Sequence, residues 1–501
     1  MKAVKMNRKS VILIAGCISF FAACSDKPVN FKETDETARI FPDYTEVTIP
    51  SNIAPLNFKV LDSCEYIYVE FTGNEGSFGI SAQNKISIPK KKWKRLLDEN
   101  AGNPITVSLY TRQNKEWKRY RPFNLYVDES SIDGYLVYRL IAPGYITYAD
   151  MGIYQRNLSD FEEKPIVSTR LLPNTCMNCH SFKQNDPDHM LFHVRASRGG
   201  TFLIEDETVE KLNTKTDQTI SNCVYPYWHP SGNYVAFSVN KIYQMFHTSQ
   251  EKRIEVFDTE SDLVIYDLIN NTLLSDSLIS MKANFETFPA FTPDGRFLIF
   301  TSARAKNLPD EYAEVKYDLC RISFDPETGG FGNMVDTLFA ASRLGLSVSF
   351  PRVSLDGRYL MFTVSDYGNF TIWHKSADLY LMDLQSGQYE PLAVNSSNTE
   401  SYHSWSSDSK WFVFSSRRID GLYTRPYIAC IDDNGKASKP FLLPQKDPDF
   451  YDRFMKSYNV PELVTGPVDF DPYRLEKVYN TEGGTQVGYI YLTDISDADD
   501  Q

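Results

Sequence analysis

One short segment of the chain carries residues whose types and spacing point to cofactor chemistry. Residues 176–180 read Cys-Met-Asn-Cys-His, and this Cys-x-x-Cys-His pattern occurs once in the 501 residues. Two thiols at that spacing add across the vinyl groups of a haem, and the adjacent imidazole binds the iron. The sequence therefore predicts a covalent c-type haem held by Cys176 and Cys179, with His180 as the proximal iron ligand.

The sixth iron ligand has several candidates. His189, Met190 and His193 are the histidine and methionine residues that follow the motif within about twenty positions. A methionine ligand would raise the reduction potential of the haem relative to a second histidine.

Other functions of the motif stay open. Cys176 and Cys179 can form a redox-active or structural disulfide, although the surrounding sequence lacks the βαβ pattern of a thioredoxin-like oxidoreductase. The two thiolates and His180 can also hold a zinc or copper ion, with His189 or His193 completing a tetrahedral site. A reduced pair without function is the remaining interpretation.

The N-terminal residues indicate export. Four basic residues lie within the first nine positions, and an apolar run from Val11 to Ala23 follows them. This run has the length of a secretory signal and is too short to span a bilayer comfortably. It ends at Cys24 in a segment that resembles a bacterial lipobox, which implies lipidation of Cys24 after removal of residues 1–23. The alternative is secretion with cleavage near Ala23; either way we expect an extracytoplasmic protein, and a lipid would anchor it to an envelope membrane.

The composition restricts the class of protein. A net charge of −13 at pH 7 argues against nucleic acid as a partner. Aromatic residues make up 14% of the chain and helical periodicity is scarce, which favours β-structure. Four of the six cysteines that follow the leader are scattered singly, so we expect buried thiols rather than a disulfide framework.

An internal repeat predicts the fold. Four segments share an initial aromatic residue, a tight turn and an alternating apolar strand; they lie at 225–238, 288–301, 350–363 and 402–415. A second hairpin follows each of them, so a period of about 50–60 residues contains four antiparallel strands. Such units bury their faces by stacking radially, as the blades of a β-propeller do. The order of residue types in these segments resembles that in the blades of TolB and its relatives, across about 225–445.

Weaker repeats extend this architecture. Two of them, at 134–158 and 189–206, predict a six-bladed all-β propeller over 129–449, with the motif on a loop or single helical turn near the start of the second blade. The C-terminal segment 450–501 either closes the propeller or contributes a seventh blade around Val487. Residues 45–128 do not repeat and predict a small β-sandwich-like domain with one helix, and residues 24–44 predict a polar tether.

Together these features predict a membrane-anchored propeller lipoprotein that carries one c-type haem for electron transfer or haem-dependent sensing, with a redox partner or other envelope proteins as partners. The competing hypothesis is a non-catalytic TolB-like scaffold that binds a protein, peptide or glycan, with the cysteines in a disulfide or metal site. We predict no catalytic residues. About 55 residues follow the last blade, too few for an α/β-hydrolase domain, and the chain lacks Gly-x-Ser-x-Gly.

Overall fold

The computed structural model describes residues 27–143, 150–248 and 254–492, and β-strands dominate within them. The leader and the predicted lipidation at Cys24 lie outside these residues. No helix in the described ranges is both long enough and apolar enough to cross a membrane.

An N-terminal domain of two sheets and one helix comes first. Its strands are β1 (Lys32–Thr37), β2 (Ile40–Phe41), β3 (Val47–Ile49), β4 (Phe58–Val60), β5 (Tyr66–Thr72), β6 (Ser77–Ala82), β7 (Lys85–Ile86), β8 (Pro104–Gln113), β9 (Glu116–Arg121) and β10 (Phe123–Val127). Strands β2, β4 and β7 form a three-stranded sheet, and the others form a seven-stranded sheet. The helix α1 (Lys90–Glu99) buries Trp93, Leu96 and Leu97 in the core that the sheets share, while its lysines stay exposed.

The prediction of a polar tether over residues 24–44 is wrong for residues 32–41, which form β1 and β2. Strand β1 pairs in parallel with β9, and opposite charges meet across the pair: Glu36 lies 2.6 Å from Lys118, and Glu33 lies 3.2 Å from Arg119. Cross-strand ion pairs help to hold an exposed edge strand that has little apolar surface to bury. Strand β1 is held by charged side chains and lacks an alternating apolar pattern. Its sequence therefore resembles that of a polar linker.

Six antiparallel sheets follow, and they are the blades of a propeller. Blade 1 has β11 (Tyr135–Ile141), β12 (Gly152–Asn157) and β13 (Glu163–Ser168), and blade 2 has β14 (Cys176–Lys183), β15 (Asp186–Arg195), β16 (Gly200–Glu205) and β17 (Thr208–Asn213). Blade 3 has β18 (Cys223–Trp228), β19 (Tyr234–Phe246), β20 (Ile254–Asp267) and β21 (Thr272–Ser275), and blade 4 has β22 (Asn284–Phe291), β23 (Phe297–Arg304), β24 (Asp318–Asp325), β25 (Gly330–Phe331) and β26 (Asp336–Phe339). Blade 5 has β27 (Ser347–Val353), β28 (Tyr359–Ser365), β29 (Asp378–Asp383) and β30 (Tyr389–Pro391), and blade 6 has β31 (Glu400–Trp405), β32 (Trp411–Ser416), β33 (Arg425–Cys430) and β34 (Phe441–Leu442). Single-turn 3₁₀ helices lie at Tyr312–Glu314, Ala341–Leu344 and Thr371–Trp373.

The C-terminal part of the chain closes the ring. After the short helix α2 (Phe450–Arg453), β35 (Ser457–Val464) pairs antiparallel with β11 and becomes the innermost strand of blade 1. The innermost strands of neighbouring blades contact one another around the whole ring, including β31 with β35 and β35 with β14. The predicted all-β propeller is therefore confirmed, and its six blades are held together by a sheet that contains both ends of the propeller sequence.

The last strands extend existing blades. After α3 (Pro472–Asn480), β36 (Thr485–Gln486) pairs in parallel with β17, and β37 (Gly488–Tyr491) pairs in parallel with β21. The segment around Val487 thus forms outer fifth strands on blades 2 and 3, and the described residues contain no seventh blade. Strands that cover an outer edge in this way protect it from pairing with another chain.

The N-terminal domain packs against blade 6 through one continuous apolar core. Trp411 of β32 is fully buried, and its indole N–H donates to Ser130 Oγ at 2.9 Å. Lys410 lies 2.7 Å from Asp128, and the Tyr44 hydroxyl donates to the carbonyl of Leu442 at 3.3 Å. Because the core is shared, we expect the domain and the propeller to unfold together.

Two innermost strands bury a glutamate at the same repeat position, Glu286 on β22 and Glu400 on β31. Arg418 pairs with Glu400 at 3.0 Å. Glu286 accepts a hydrogen bond from a serine instead, at 3.3 Å, and its Oε2 has no partner among the described residues. Burial, reinforced by the charge of Asp262, raises the pKa of Glu286 to about 8. Of the two glutamates, Glu286 is the one whose ionisation works against folding.

We therefore expect Glu286→Gln to stabilise the protein at alkaline pH. A folded-state pKa of about 8, above the ordinary 4.5, means that the wild-type protein is most stable when Glu286 is protonated and loses stability as the pH rises between these values. Glutamine does not ionise. The gain in free energy of unfolding should therefore grow from about 1 kcal/mol at pH 5 to about 4–5 kcal/mol at pH 8.5, measured by denaturant titration.

Glu400→Gln is the matched control, since it leaves the Arg418 guanidinium without its carboxylate. It should lower the free energy of unfolding by about 2 kcal/mol at both pH values. An effect of Glu286→Gln that did not change with pH would contradict the prediction.

Candidate functional site

Each innermost strand is interrupted at the same position by a β-bulge that holds one residue in the left-handed region. These six residues, with φ between 45° and 53°, are Val460, Cys179, Tyr225, Phe288, Phe350 and Tyr402. Bulky residues rarely adopt this conformation, which costs roughly 1–3 kcal/mol each. A bulge re-aims the side chain that it carries, and here all six side chains line a cavity at the propeller axis.

Four of the six are aromatic, and each ring contacts the next at a tilt of 41–59°; we call these four residues the aromatic collar (Tyr225, Phe288, Phe350 and Tyr402). Successive ring centroids lie 4.6, 4.0 and 4.4 Å apart. Val460 and the second cysteine of the motif take the same position on the adjacent blades 1 and 2. Because these two side chains are small, no aromatic ring occupies the collar position on blades 1 and 2.

The Cys-x-x-Cys-His motif lies in β14, the innermost strand of blade 2. The predicted loop or helical turn is wrong, because residues 179–182 take the strand register that residues 402–405 take in blade 6. Alternate residues of a strand project to one side, and the bulge turns Cys179 to that side as well. Cys176, Cys179 and His180 therefore line one cavity, while Met177 packs in the core.

His180 is buried and neutral. Burial, and then the charge of Arg139, lower the pKa of its imidazole to about 3, and hydrogen bonding to the backbone of Val460 opposes them in part. Its Nε2 is buried and has no hydrogen-bond partner in the described part of the chain. A neutral imidazole that bonds to the backbone through one nitrogen and leaves the other unpartnered is the form that binds a metal.

The two cysteines of the motif are free thiols. Burial raises the pKa of the Cys179 thiol, although the backbone of Tyr225 and the nearby Arg195 and Arg139 act in the opposite direction. A raised pKa disfavours the thiolate that a disulfide oxidoreductase or a thiolate–metal site requires. The raised pKa of Cys179 thus counts against a disulfide oxidoreductase, whereas a bound metal ion would itself deprotonate the thiol.

The structure does not bring the candidates for the sixth ligand to the cavity. Met190 is fully buried in the apolar core, and His193 is buried beside Thr201, 3.4 Å from its hydroxyl. His189 contacts Asp186 at 2.8 Å on the far part of β15. All three belong to the second strand of the blade, and none of them lines the cavity.

The zinc or copper alternative meets the same obstacle. It requires His189 or His193 beside the two thiols and His180, and neither lines the cavity. Across the described ranges, no group of three or more His, Cys, Asp or Glu side chains is arranged to hold a metal ion.

Two histidines beside blade tryptophans differ in their surroundings. His229 contacts Ser231 Oγ at 2.7 Å and the carbonyl of Gly295 at 3.1 Å, so both ring nitrogens are occupied. His403 lines the cavity; its Nε2 lies 3.0 Å from the carbonyl of Met361, and its Nδ1 is buried without a partner among the described residues. Because the nitrogen that faces a carbonyl carries the proton, Nδ1 keeps a free lone pair. Burial lowers the pKa of His403 to about 3, so the cavity has a second neutral imidazole.

Four arginines that line the cavity were not predicted from the sequence; they are Arg139, Arg195, Arg352 and Arg417. Arg195 lies opposite Cys176 at the end of the second strand of blade 2, and Arg417 occupies the same register in blade 6. An alignment of second strands would have shown this pair. Arg139 and Arg352 leave no such signal in the sequence.

The cavity has a volume of about 230 Å³ and opens to solvent where Arg195 is exposed. Ile242, Gln244 and Val256, from the part of the β19–β20 hairpin that extends beyond its blade, contribute to the wall. Sites that enclose a drug-sized ligand typically measure about 300–1,000 Å³. A porphyrin-sized ligand would therefore extend through the open end or displace wall side chains.

No protein-family model matches the chain, and no curated protein matches it. Similar solved structures include prolyl oligopeptidase B from Galerina marginata (11% identity, TM-score 0.33, covering 53% of this chain and 36% of that one). The Dos1 propeller is also similar, with 13% identity and a TM-score of 0.27, covering 46% of this chain and 64% of that one. A nidogen/laminin complex has 7% identity and a TM-score of 0.35, covering 66% of this chain and 100% of that one. The chain thus spans less than two thirds of the length of the first two. The class of protein, a six-bladed β-propeller with an N-terminal β-domain, rests on the strand topology.

Proposed function

We propose that the chain is a β-propeller lipoprotein of the cell envelope that carries one covalent c-type haem at its central cavity, for electron transfer or haem-dependent sensing. One observation carries the proposal: Cys176, Cys179 and His180 line the same cavity, and the buried Nε2 of the neutral His180 has no partner among the described residues. Cys176 and Cys179 would form the thioethers, and His180 would bind the iron. The haem, when bound, would supply one-electron chemistry. The resemblance of the repeats to TolB blades and the lipobox-like segment at Cys24 support the envelope location.

Other residues of the cavity would orient His180 and surround the haem. The Val460 backbone holds the His180 ring so that Nε2 keeps its lone pair, and the aromatic collar provides an apolar wall that limits access of water. His403 is the other neutral imidazole of the cavity, so it replaces His189, Met190 and His193 as the candidate for the sixth ligand.

The test is a pyridine haemochrome spectrum with in-gel haem staining, made on the mature chain from the periplasm of a host competent in cytochrome c maturation. We expect a c-type band that survives denaturation, at one haem per chain. A colourless protein would overturn the proposal and leave a binding scaffold as the working function.

We expect His180→Ala to keep the haem and change the spin state of its iron. The thioethers do not involve the imidazole, so the haemochrome of the denatured protein should keep its c-type band, while the ferric spectrum of the folded protein becomes high-spin. His229→Gln is the control, because both ring nitrogens of His229 have structural partners, and it should leave the spectrum unchanged. A His180→Ala protein with the wild-type spectrum would show that this imidazole does not bind the iron.

A further inference from the structure

The central cavity is basic in an acidic protein. The chain carries a net charge of −13, yet four arginines and no aspartate or glutamate line the cavity among the described residues. Arg417, Arg139 and Arg195 lie on the successive blades 6, 1 and 2, and we call these three the arginine arc. Arg139 and Arg195 lie on blades 1 and 2, where the small Val460 and Cys179 take the collar position, and Arg417 lies on the neighbouring blade 6.

Two guanidinium groups of the arc contact uncharged groups of the protein. Arg139 donates to Asn459 Oδ1 at 3.0 Å and to the carbonyl of Met177 at 3.4 Å, and its Nε is buried without a partner in the described ranges. Arg417 lies over the Trp373 ring, 3.5 Å from its centroid. Neither Arg139 nor Arg195 forms an ion pair with any described residue. Arg139 is half-buried and its Nε is fully buried, and a partly buried charge without an ion-pair partner is costly, so an anion beside Arg139 would be bound favourably.

Arg352 is in a different position and does not belong to the arc. It lies over the Tyr227 ring, 5.0 Å from its centroid, and it also lines a second cavity on the other side of the collar. Glu462 lines that second cavity and attracts the Arg352 guanidinium. The charge of Arg352 is thus partly balanced within the protein.

We propose that the arginine arc binds the carboxylate groups of the ligand that occupies the cavity. The inference rests on the proposed function, in which that ligand is haem and the carboxylates are its two propionates. A guanidinium pairs with a carboxylate through two parallel hydrogen bonds, which a lysine cannot reproduce. The aromatic collar faces the same space and suits the apolar face of a macrocycle. The ligand class is a planar, largely apolar molecule that carries carboxylates.

The experiment uses the full mature chain with Cys176→Ser and Cys179→Ser, which cannot attach haem. It is titrated with mesoporphyrin IX and with mesoporphyrin IX dimethyl ester, which share one macrocycle and differ in the two carboxylate charges, and binding is followed by the shift of the Soret band. We expect the diacid to bind at least about tenfold more tightly than the ester. Adding Arg139→Gln and Arg417→Gln should lower the affinity for the diacid to that for the ester, and the exposed Arg343→Gln should change neither.

Equal affinities for the two porphyrins would overturn the inference, as would an arginine double variant that keeps its preference for the diacid. Failure of both porphyrins to bind would overturn it too. If the double variant does not unfold cooperatively, Arg139→Lys and Arg417→Lys replace it; they keep the charge, lose the paired hydrogen bonds and should weaken binding of the diacid alone. Haem staining of the wild-type protein tests covalent attachment independently of the porphyrin titration. A wild-type protein without covalent haem contradicts the proposed function, whereas equal binding of the two porphyrins contradicts the role of the arginine arc.

Discussion

A protein with serine at both position 176 and position 179 should leave the periplasm of a maturation-competent host without covalent haem. Serine hydroxyls do not form the thioether bonds that attach the macrocycle, and the two thiols of the motif line the same cavity as His180. We expect in-gel haem staining per mole of protein to fall to background, a loss of about 100-fold or more, and the pyridine haemochrome band of the denatured protein to disappear.

Cys64→Ser is the matched control, since Cys64 is also a free and partly exposed thiol but lies in the N-terminal domain. It should leave staining and spectrum unchanged. Thermal unfolding should show that the double variant still folds, because neither cysteine forms a disulfide in the described structure. A double variant that stains for haem as strongly as the wild-type protein would contradict the hypothesis that haem is attached at this site.

The second large effect concerns closure of the ring. A chain that ends at Lys456 lacks β35, the innermost strand of blade 1, and with it the fully buried Tyr458, Leu463 and Val464. Loss of each large buried side chain costs roughly 2–5 kcal/mol, so the sum reaches the whole net stability of about 5–15 kcal/mol of an ordinary protein. We expect this truncated chain to lose its cooperative unfolding transition in calorimetry.

A chain that ends at Thr481 is the control for truncation itself. It keeps β35 and α3 and loses β36 and β37, whose residues are mostly exposed. It should keep a cooperative transition with a small decrease in Tm. A cooperative transition in the chain that ends at Lys456 would show that β35 is not needed to close the propeller.

The sequence predicted the propeller because each blade is built from signals that lie close together in the chain. An aromatic residue, a tight turn and an alternating strand occur within each 14-residue segment, so four blades could be aligned without tertiary information. Closure is different. Tyr135 pairs with Val464, at the other end of the propeller sequence, and no local pattern states which distant strand will complete a sheet.

For the site, the spacing of Cys176, Cys179 and His180 was sufficient to identify the motif and to predict haem chemistry. Haem staining and the haemochrome spectrum test that prediction. The direction of each side chain was not available from the sequence. It depends on strand register, and the one extra residue of a bulge moves the following side chains to the other face. This is why the sequence could not separate His189, Met190 and His193 from other ligand candidates, whereas in the structure none of the three lines the cavity.

Composition and local pattern thus determined the fold class and identified the motif, because both depend on interactions between residues that are close in the sequence. The tertiary structure alone decided what surrounds the motif. Arg139, Arg195 and Arg417 are ordinary charged residues in their own strands, and only closure of the ring brings three successive blades around one axis. Their shared cavity is a property of long-range packing, which no single segment of the chain encodes.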